Sequence, residues 1–352
     1  MIPIGRSRVG DRRPPLIVAE LSGNHHGSLS EALEIVGAAA QAGAHAIKLQ
    51  TYTPATLTID SQRPEFTIND LGSPWHGRRL WELYEEAHTP WEWHTSIFDA
   101  ARALGLACIS TAYDLSSLAF LLEIGVDAIK VASFELIHLP LLAAAARSGK
   151  PLIVATGMAS LNEIEAAVGT VRENGGEHLI VLQCTSAYPA TERDANILTM
   201  SDLRARFHCE AGLSDHTLSP YSAFAATALG ASIIEKHVTI SRARGGVDAS
   251  FSIEPTELRA LVDGCARVAE SMGKVVYGSL PSESTSLLER PSMYVVKDVH
   301  AGDAFSVDNV RIIRPSSGLA PRFYEQVLGR AAATDVRGGT PLSWELVSGG
   351  QA

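Results

Sequence analysis

Short apolar segments alternate with longer amphipathic segments from residue 16 to about residue 273. The short segments are rich in β-branched side chains and carry few polar residues, which is typical of parallel strands that are buried on both faces. Eight of them are present, at residues 16–20, 46–50, 107–111, 128–132, 152–156, 179–183, 209–213 and 232–236. The pattern therefore predicts a parallel sheet that is covered by helices.

The intervening segments contain helix signals at both ends. Residues 28–42 have helical apolar spacing and stop near Gly43, and residues 160–174 begin with Ser160 and Glu163, the spacing of a capping box. Eight strands that are each followed by a helix predict a (β/α)8 TIM barrel. A doubly wound open sheet is the alternative, but it would usually have a glycine-rich phosphate-binding turn after its first strand. Here the segment Glu-Leu-Ser-Gly-Asn-His occupies that place.

Two regions depart from this alternation. Residues 51–77 contain three prolines and are too long for an ordinary βα loop, so we expect them to fold over the barrel mouth. After a barrel domain at residues 1–277, residues 278–290 are rich in Ser, Gly and Pro and are predicted to be a linker. Residues 291–352 have short strand patterns between glycines, which predicts a small β-rich domain.

Composition excludes several classes of protein. The 352 residues are 46% hydrophobic and 19% charged, as in ordinary soluble globular proteins, and the net charge of −10 argues against a nucleic-acid partner. No apolar run is long enough to span a membrane, and the N-terminus lacks the apolar core of a signal peptide. The four cysteines are widely spaced, which favours buried thiols. We therefore expect a cytoplasmic protein with no membrane partner.

Polar residues concentrate where the predicted strands end, which is where barrel enzymes place their active sites. The candidates in chain order are Glu20, Asn24, His25, Lys48, Gln50, Ser110, Thr111, Lys130, Ser133, Glu135, Thr185, Ser186, Tyr188, Ser214, His216, Glu235, Lys236 and His237. Asp248 follows a Gly-Gly pair after the last strand. It could face the barrel mouth, or it could be a solvated turn residue.

His216 and His237 lie just beyond consecutive predicted strands, with one helix-length segment between them. Two neutral imidazoles at an open face suit a divalent transition metal that keeps positions free for substrate. The alternative is two separate histidines that are hydrogen-bonded within the fold. Their matching positions and polar neighbours favour the metal site.

Lys48 and Lys130 lie inside otherwise apolar strands, where an unpaired lysine is costly. They could form structural pairs with carboxylates. Two lysines among Ser and Thr hydroxyls also suit a phosphate or carboxylate ligand. A Schiff-base lysine is a third possibility, although it requires a single lysine.

Five ordered motifs resemble those of the sialic acid synthases. They are Glu-Leu-Ser-Gly-Asn-His at 20–25, Lys-Leu-Gln-Thr at 48–51, Lys-Val-Ala-Ser at 130–133, Ser-Asp-His-Thr at 214–217 and Glu-Lys-His at 235–237. The resemblance implies a (β/α)8 barrel followed by an antifreeze-like (SAF) domain. It also implies an enzyme that condenses phosphoenolpyruvate with an N-acetylated amino sugar to form a nonulosonic acid.

Within that family, the segments at 49–54, 84–94, 132–135 and 246–252 are most similar to the pseudaminic acid synthases. The acceptor so implied is 2,4-diacetamido-2,4,6-trideoxy-β-L-altropyranose. An N-acetylneuraminate or legionaminate synthase is the near alternative. A non-catalytic glycan-binding protein is a distant one, and a Schiff-base aldolase is another.

The resemblance also implies residue roles. His216 and His237 would bind Mn²⁺ or Mg²⁺, or Co²⁺ in their place, and Glu20 would act on the attacking water. Phosphoenolpyruvate would be held by Lys48, Lys130, Ser133, Ser186 and Ser214. Tyr188 and Asp248 would contact the sugar or the metal-bound water, with Gln50, Thr111 and Glu135 as further substrate-binding candidates. Arg314 would enter the sugar site of a partner subunit, which implies a domain-swapped homodimer.

Overall fold

Eight parallel strands close into a barrel in the computed structural model, which describes residues 1–10 and 13–350. An N-terminal antiparallel hairpin, β1 (Ile2–Ile4) and β2 (Ser7–Val9), precedes it. The barrel strands are β3 (Leu16–Glu20), β4 (Ala46–Thr51), β5 (Ala107–Ala112), β6 (Ala128–Val131), β7 (Leu152–Ala155), β8 (Leu179–Cys184), β9 (Glu210–Asp215) and β10 (Ile233–His237). Each strand pairs with the next, and β10 pairs with β3, so the predicted TIM barrel is confirmed.

Helices follow the strands along the chain. They are α1 (Leu29–Ala42), α2 (Pro54–Leu57), α3 (Leu80–Ala87), α4 (Trp91–Ala103), α5 (Leu115–Glu123), α6 (Leu139–Arg147), α7 (Leu161–Glu173), α8 (Leu198–Phe207), α9 (Tyr221–Ala228) and α10 (Pro255–Met272). Short 3₁₀ turns lie at Pro64–Phe66, Glu192–Asp194, Arg242–Arg244 and Ala249–Phe251. Helix α7 starts with the predicted capping box, in which Ser160 and Glu163 bond reciprocally.

Successive side chains along each strand point to opposite faces of the sheet, which gives two layers of apolar side chains. Residues such as Ile17, Ile47 and Ile234 face the surrounding helices. Residues such as Leu16, Ala46 and Ile233 fill the barrel interior at the N-terminal ends of the strands, and the hairpin residues Ile2 and Ile4 belong to the same cluster. Because this end is filled with apolar side chains, the polar inward-facing positions lie at the C-terminal ends of the strands, which we call the barrel mouth.

The chain divides into two units, Met1–Gly273 and Lys274–Ala352. The second unit contains β11 (Ser292–Val295) paired antiparallel with β12 (Val310–Ile313), the short helix α11 (Tyr324–Val327) and 3₁₀ turns at Pro281–Glu283, Ser286–Glu289, Pro321–Phe323 and Trp344–Leu346. Its own core is formed around buried Met293, Phe305 and Val327. Among the described residues, none of the helices has the length and apolar character that crossing a membrane requires.

Candidate active site

Two lysines and two glutamates from four strands contact one another in the barrel mouth. Lys130 Nζ donates to both carboxylate oxygens of Glu235, at 3.0 and 3.2 Å. Lys48 Nζ forms an ion pair with Glu20, lies 3.5 Å from Glu235 and donates to Thr111 Oγ1 at 3.0 Å. All four charged side chains are buried. The lysines are therefore paired with carboxylates, as one alternative from the sequence anticipated, and they also lie together as the anion-site hypothesis requires.

Burial and charge act differently on the two glutamates. For Glu235, burial opposes ionisation, but the adjacent Lys130 and Lys48 outweigh it and lower the carboxyl pKa to about 2. For Glu20, burial raises the pKa above its ordinary value even though Lys48 opposes this change. The pKa of Lys48 is raised despite its burial, because Glu20 and Glu235 stabilise its charged form.

The two candidate metal ligands are neighbours. The ring centroids of His216 and His237 lie 5.3 Å apart. His216 Nδ1 lies 2.8 Å from the carbonyl oxygen of Thr185, which fixes the ring and leaves Nε2 as the nitrogen available to a metal. Nδ1 of His237 is buried without a hydrogen-bond partner. Burial lowers the pKa of His237 well below its ordinary value, so this imidazole is neutral.

These two imidazoles fit a divalent cation. A buried nitrogen without a partner is costly, and a metal bond would satisfy it. Within residues 1–10 and 13–350, no group of three or more His, Cys, Asp and Glu side chains is arranged to hold a metal. His216 and His237 would supply two ligands, and the remaining positions would be open to substrate and water.

Hydroxyl groups converge beside Lys130. Ser133 Oγ accepts from the Gly157 N–H at 3.0 Å, and Ser214 Oγ donates to Glu235 at 3.3 Å. A Cβ at Gly157 would lie 2.8 Å from Ser133 Oγ and would collide with Ser186 Oγ. Glycine at this position therefore lets both serine hydroxyls lie close to its backbone, an arrangement that suits phosphate oxygens.

Asp248 is buried in the mouth rather than solvated. Its carboxylate accepts from Ser22 Oγ and from the Gly23 N–H, and Gln50 Nε2 donates to Ser22 Oγ at 3.0 Å. Burial raises the pKa of Asp248 above its ordinary value. Gly246, two residues before Asp248, has φ +117°, and a Cβ at this position would lie 3.0 Å from His26 Nε2. A larger residue would therefore be strained there.

Three aromatic side chains, Tyr188, Phe251 and Trp75, form a cluster over the histidines. Of these three, only Tyr188 was proposed as a site residue from the sequence. Between ring centroids, Tyr188 lies 4.5 Å from His216, and Phe251 lies 5.0 Å from His237 and 5.1 Å from Tyr188. Trp75 packs on both Tyr188 and Phe251 and donates from Nε1 to the Val247 carbonyl at 2.8 Å. Trp75 belongs to residues 51–77, so this long segment does reach over the mouth.

Glu135 lies near Lys130, Tyr84 and Tyr113. Its Oε2 is buried without a hydrogen-bond partner. Burial raises the pKa of Glu135 to about 7, and Lys130 opposes this change. The carboxylate in turn helps to raise the pKa values of Tyr84 and Tyr113, whose main cause is their own burial. A carboxyl group with this pKa can bind a polar substrate group in either protonation state.

Ser110, Lys236 and Arg314 are located elsewhere. Ser110 alternates with the inward-facing Thr111 and faces the surrounding helices, where its Oγ donates to the Leu49 carbonyl oxygen at 2.9 Å. Lys236 lies between the inward-facing Glu235 and His237, so its side chain points to the outer face of the barrel, where it pairs with Asp215 at 2.7 Å. Its grouping with the mouth residues was therefore wrong, and alternation along the strand could have corrected it. Arg314 belongs to the C-terminal unit, where its exposed side chain lies 3.8 Å from Glu289.

All four cysteines are free, in agreement with the expectation of buried thiols for Cys108, Cys184 and Cys265. Cys184 ends β8 and lies 3.8 Å from Ser186 Oγ and 4.0 Å from His216 Nδ1. Burial disfavours its thiolate, but His216 and Ser133 outweigh burial and lower the pKa of this thiol to about 7. It is thus a further polar group of the mouth that sequence reasoning did not assign.

The chain is similar to known proteins over almost its full length. The NeuB family matches residues 35–277, and the SAF domain matches residues 290–348. A pseudaminic acid synthase of Campylobacter jejuni is 40% identical over 93% of this chain and 94% of that protein. The pseudaminic acid synthase of Helicobacter pylori is 37% identical over 94% of this chain and 97% of that protein.

A solved structure resembles the fold at lower sequence identity. The N-acetylneuraminic acid synthetase of Leptospira borgpetersenii, determined in complex with citrate, superposes with a TM-score of 0.72. It is 32% identical, and the match covers 81% of this chain and 94% of that one.

Proposed function

The chain belongs to the NeuB family, and on that basis we propose that it is a pseudaminic acid synthase. It condenses phosphoenolpyruvate with 2,4-diacetamido-2,4,6-trideoxy-β-L-altropyranose and water, giving pseudaminic acid and phosphate. The observation that most supports a synthase is the position of the lysine pair and the histidine pair in one barrel mouth. An anionic donor and a carbonyl acceptor can therefore be held side by side. The choice of acceptor is supported by the pseudaminic acid synthases among its relatives.

Phosphoenolpyruvate carries a phosphate and a carboxylate, and the mouth offers donors for both. Lys48 and Lys130 provide charge, and the Ser133 and Ser186 hydroxyls with the Gly157 N–H provide a compact set of uncharged donors. Charge-assisted hydrogen bonds to such an anion are stronger than neutral ones. These residues would bind the donor and orient its C3 carbon towards the acceptor.

The acceptor would lie on the histidine side of the mouth. A divalent ion bound by His216 and His237, which we propose to be Mn²⁺ or Mg²⁺, supplies Lewis-acid polarisation of the sugar aldehyde. Tyr188, Asp248 and Glu135 border this region and would bind the polar groups of the sugar. Trp75 and Phe251 cover it with aromatic surface and exclude water.

Glu20 is our candidate for the residue that acts on water. Attack of C3 on the aldehyde leaves positive charge at C2, where water adds, and phosphate then leaves by C–O cleavage. Glu20 is buried in the mouth beside Lys48, and one of its oxygens accepts from the Ser22 N–H at 2.8 Å. That hydrogen bond orients the carboxylate, which can accept a proton from the water as it adds to C2.

Phosphate release with a panel of acceptors tests the proposal. We expect release from phosphoenolpyruvate with the 2,4-diacetamido-trideoxy sugar and none with N-acetylmannosamine. A reaction without acceptor serves as the control for simple hydrolysis. Turnover with N-acetylmannosamine alone would instead favour an N-acetylneuraminate synthase, the second candidate, which the Leptospira structure supports at 32% identity. No release with any acceptor would favour a non-catalytic glycan-binding role.

We further propose a cytoplasmic homodimer in which Arg314 of one subunit completes the sugar site of the other. The exposed guanidinium of Arg314 supports this assignment, because its neighbour Glu289 is equally exposed and pairs with it weakly. Light scattering during gel filtration measures the oligomeric state. R314A should raise the KM for the sugar without changing the dimer, and a monomeric wild-type protein would contradict the proposal.

A further inference from the structure

Lys236 is a buried cation outside the substrate site. Only 1% of its surface is exposed, and it lies on the outer face of β10 between two residues that face the mouth. A buried charge at this position needs strong compensation, because an ammonium group loses its favourable hydration when it is taken out of water. The proposed reaction does not use this side chain, so its retention in the core requires another explanation.

The ammonium group of Lys236 binds one short stretch of backbone. Nζ donates to Asp215 Oδ2 at 2.7 Å, to the carbonyl oxygen of Thr217 and to the carbonyl oxygen of Ser219 at 3.1 Å. The other carboxylate oxygen of Asp215 accepts from the Thr217 N–H at 2.9 Å. Lys236 and Asp215 together therefore fix the chain on both sides of His216.

His216 needs this support because it lies beyond the end of its strand. Strand β9 ends at Asp215, and the last pair of the β9–β10 ladder is Lys236 with Asp215. The backbone of His216 forms a single hydrogen bond outside the ladder among the described residues, in which its carbonyl oxygen accepts from the Ala190 N–H at 3.1 Å. His237, by contrast, is held within β10 and pairs with Glu20 in the register with β3.

We propose that Lys236 and Asp215 are a positioning pair that sets the separation of the His216 and His237 imidazoles and thereby the affinity of the protein for its metal. Lys236 precedes one of these histidines in the chain, and Asp215 precedes the other. The inference rests on the proposed metal site. Groups that orient metal ligands in this way typically change metal affinity by about 10- to 100-fold when they are replaced.

Co²⁺ binding to the metal-stripped full-length protein tests the inference. Isothermal titration measures the affinity, and the visible absorption of bound Co²⁺ reports its coordination. K236M is the test variant and R204M is the matched control. Arg204 also donates to backbone carbonyls of the same two-strand region, those of Ala211 at 3.1 Å and Gly230, but at the opposite end of β9. Thermal unfolding without metal is measured for both.

We expect K236M to bind Co²⁺ about 10- to 100-fold more weakly, with an altered absorption spectrum, while R204M binds as the wild type does. Wild-type affinity in K236M would overturn the inference. An equal loss in R204M would also overturn it, because general destabilisation would then explain the result. If K236M does not fold, D215N replaces it as the test. D215N keeps the shape of the side chain and leaves Lys236 its carbonyl acceptors, and wild-type affinity in that variant overturns the inference.

Phosphate release by the wild type is measured in parallel. If the wild type binds Co²⁺ but releases no phosphate with any acceptor, the proposed reaction is wrong. The positioning role is then still decided by the Co²⁺ affinity of K236M. If the wild type releases phosphate while K236M retains full Co²⁺ affinity, the positioning role alone fails. A wild-type protein that takes up no Co²⁺ overturns the metal site and the positioning role together.

Discussion

Glu135 is expected to make the barrel less stable as the pH rises towards neutrality, and E135Q is expected to remove this effect. Burial raises the pKa of Glu135 from 4.5 to about 7, against the opposing charge of Lys130. At about 1.4 kcal/mol for each pH unit, this change corresponds to about 3 kcal/mol of unfolding free energy. The buried oxygen without a partner gives the structural reason, because it cannot be ionised there without losing its hydration.

Between pH 4.5 and about 7 the folded protein keeps a proton on Glu135 that the unfolded chain has released. The stabilisation is complete below pH 4.5 and is lost as the pH rises through about 7. Glutamine stays neutral, so the unfolding free energy of E135Q minus that of the wild type should grow by up to about 3 kcal/mol over this range. Urea unfolding followed by tryptophan fluorescence measures the difference, because four of the five tryptophans lie in the barrel unit. Parallel pH profiles for the two proteins would refute the reasoning.

Three further changes test the site. E20Q should still bind phosphoenolpyruvate by calorimetry but lose about 10²- to 10⁴-fold in phosphate release, and near-normal turnover would reject its role with water. F251A should cost about 3–5 kcal/mol of unfolding free energy and lower turnover, because the ring supports both histidines; a variant as stable and active as the wild type contradicts this. EDTA should abolish phosphate release and Mn²⁺ should restore it. Full activity in EDTA together with borohydride trapping of a lysine adduct would favour an aldolase.

The barrel strands could be predicted from local sequence because strands buried on both faces are nearly continuous runs of apolar residues. Every predicted strand agrees with the structure to within two residues at either end. The ends of these strands also located the lysine and histidine pairs, since parallel strands bring their C-terminal ends to one side. In the same way, the Ser160–Glu163 spacing predicted the start of α7, because a capping box depends on neighbouring residues alone.

Contacts between distant loops could not be predicted in this way. The bond from Ser22 to Asp248 joins residues 226 positions apart, in loops that lack a periodic signal. Trp75 and Phe251 reach the mouth from segments whose direction depends on tertiary packing. Lys236 is a different case, because alternation with His237 predicts its outward direction. Sequence reasoning therefore located the site more reliably than it selected the residues within it.

The pairing of buried lysines with glutamates has a consequence for anion binding, which E235Q can reveal. Glu235 contacts both lysines, so its loss leaves Glu20 as the carboxylate partner of Lys48 and leaves Lys130 without one. Breaking a buried pair typically costs about 3–5 kcal/mol, so E235Q should be less stable in buffer without multivalent anions. Binding to the folded state alone stabilises a protein, and the freed lysine charge should strengthen the binding of phosphate.

Phosphate should therefore raise the Tm of E235Q more than it raises the Tm of the wild type, measured by calorimetry at equal ionic strength. E135Q is the matched control, because Glu135 is also a mouth carboxylate but forms no ion pair within the part of the chain that the structure describes. Its response to phosphate should equal that of the wild type. Phosphate that stabilises E235Q no more than the wild type would mean that Glu235 does not compete with the donor's anionic groups. The two lysines would then serve the fold, and the phosphate of the donor would have to be bound elsewhere.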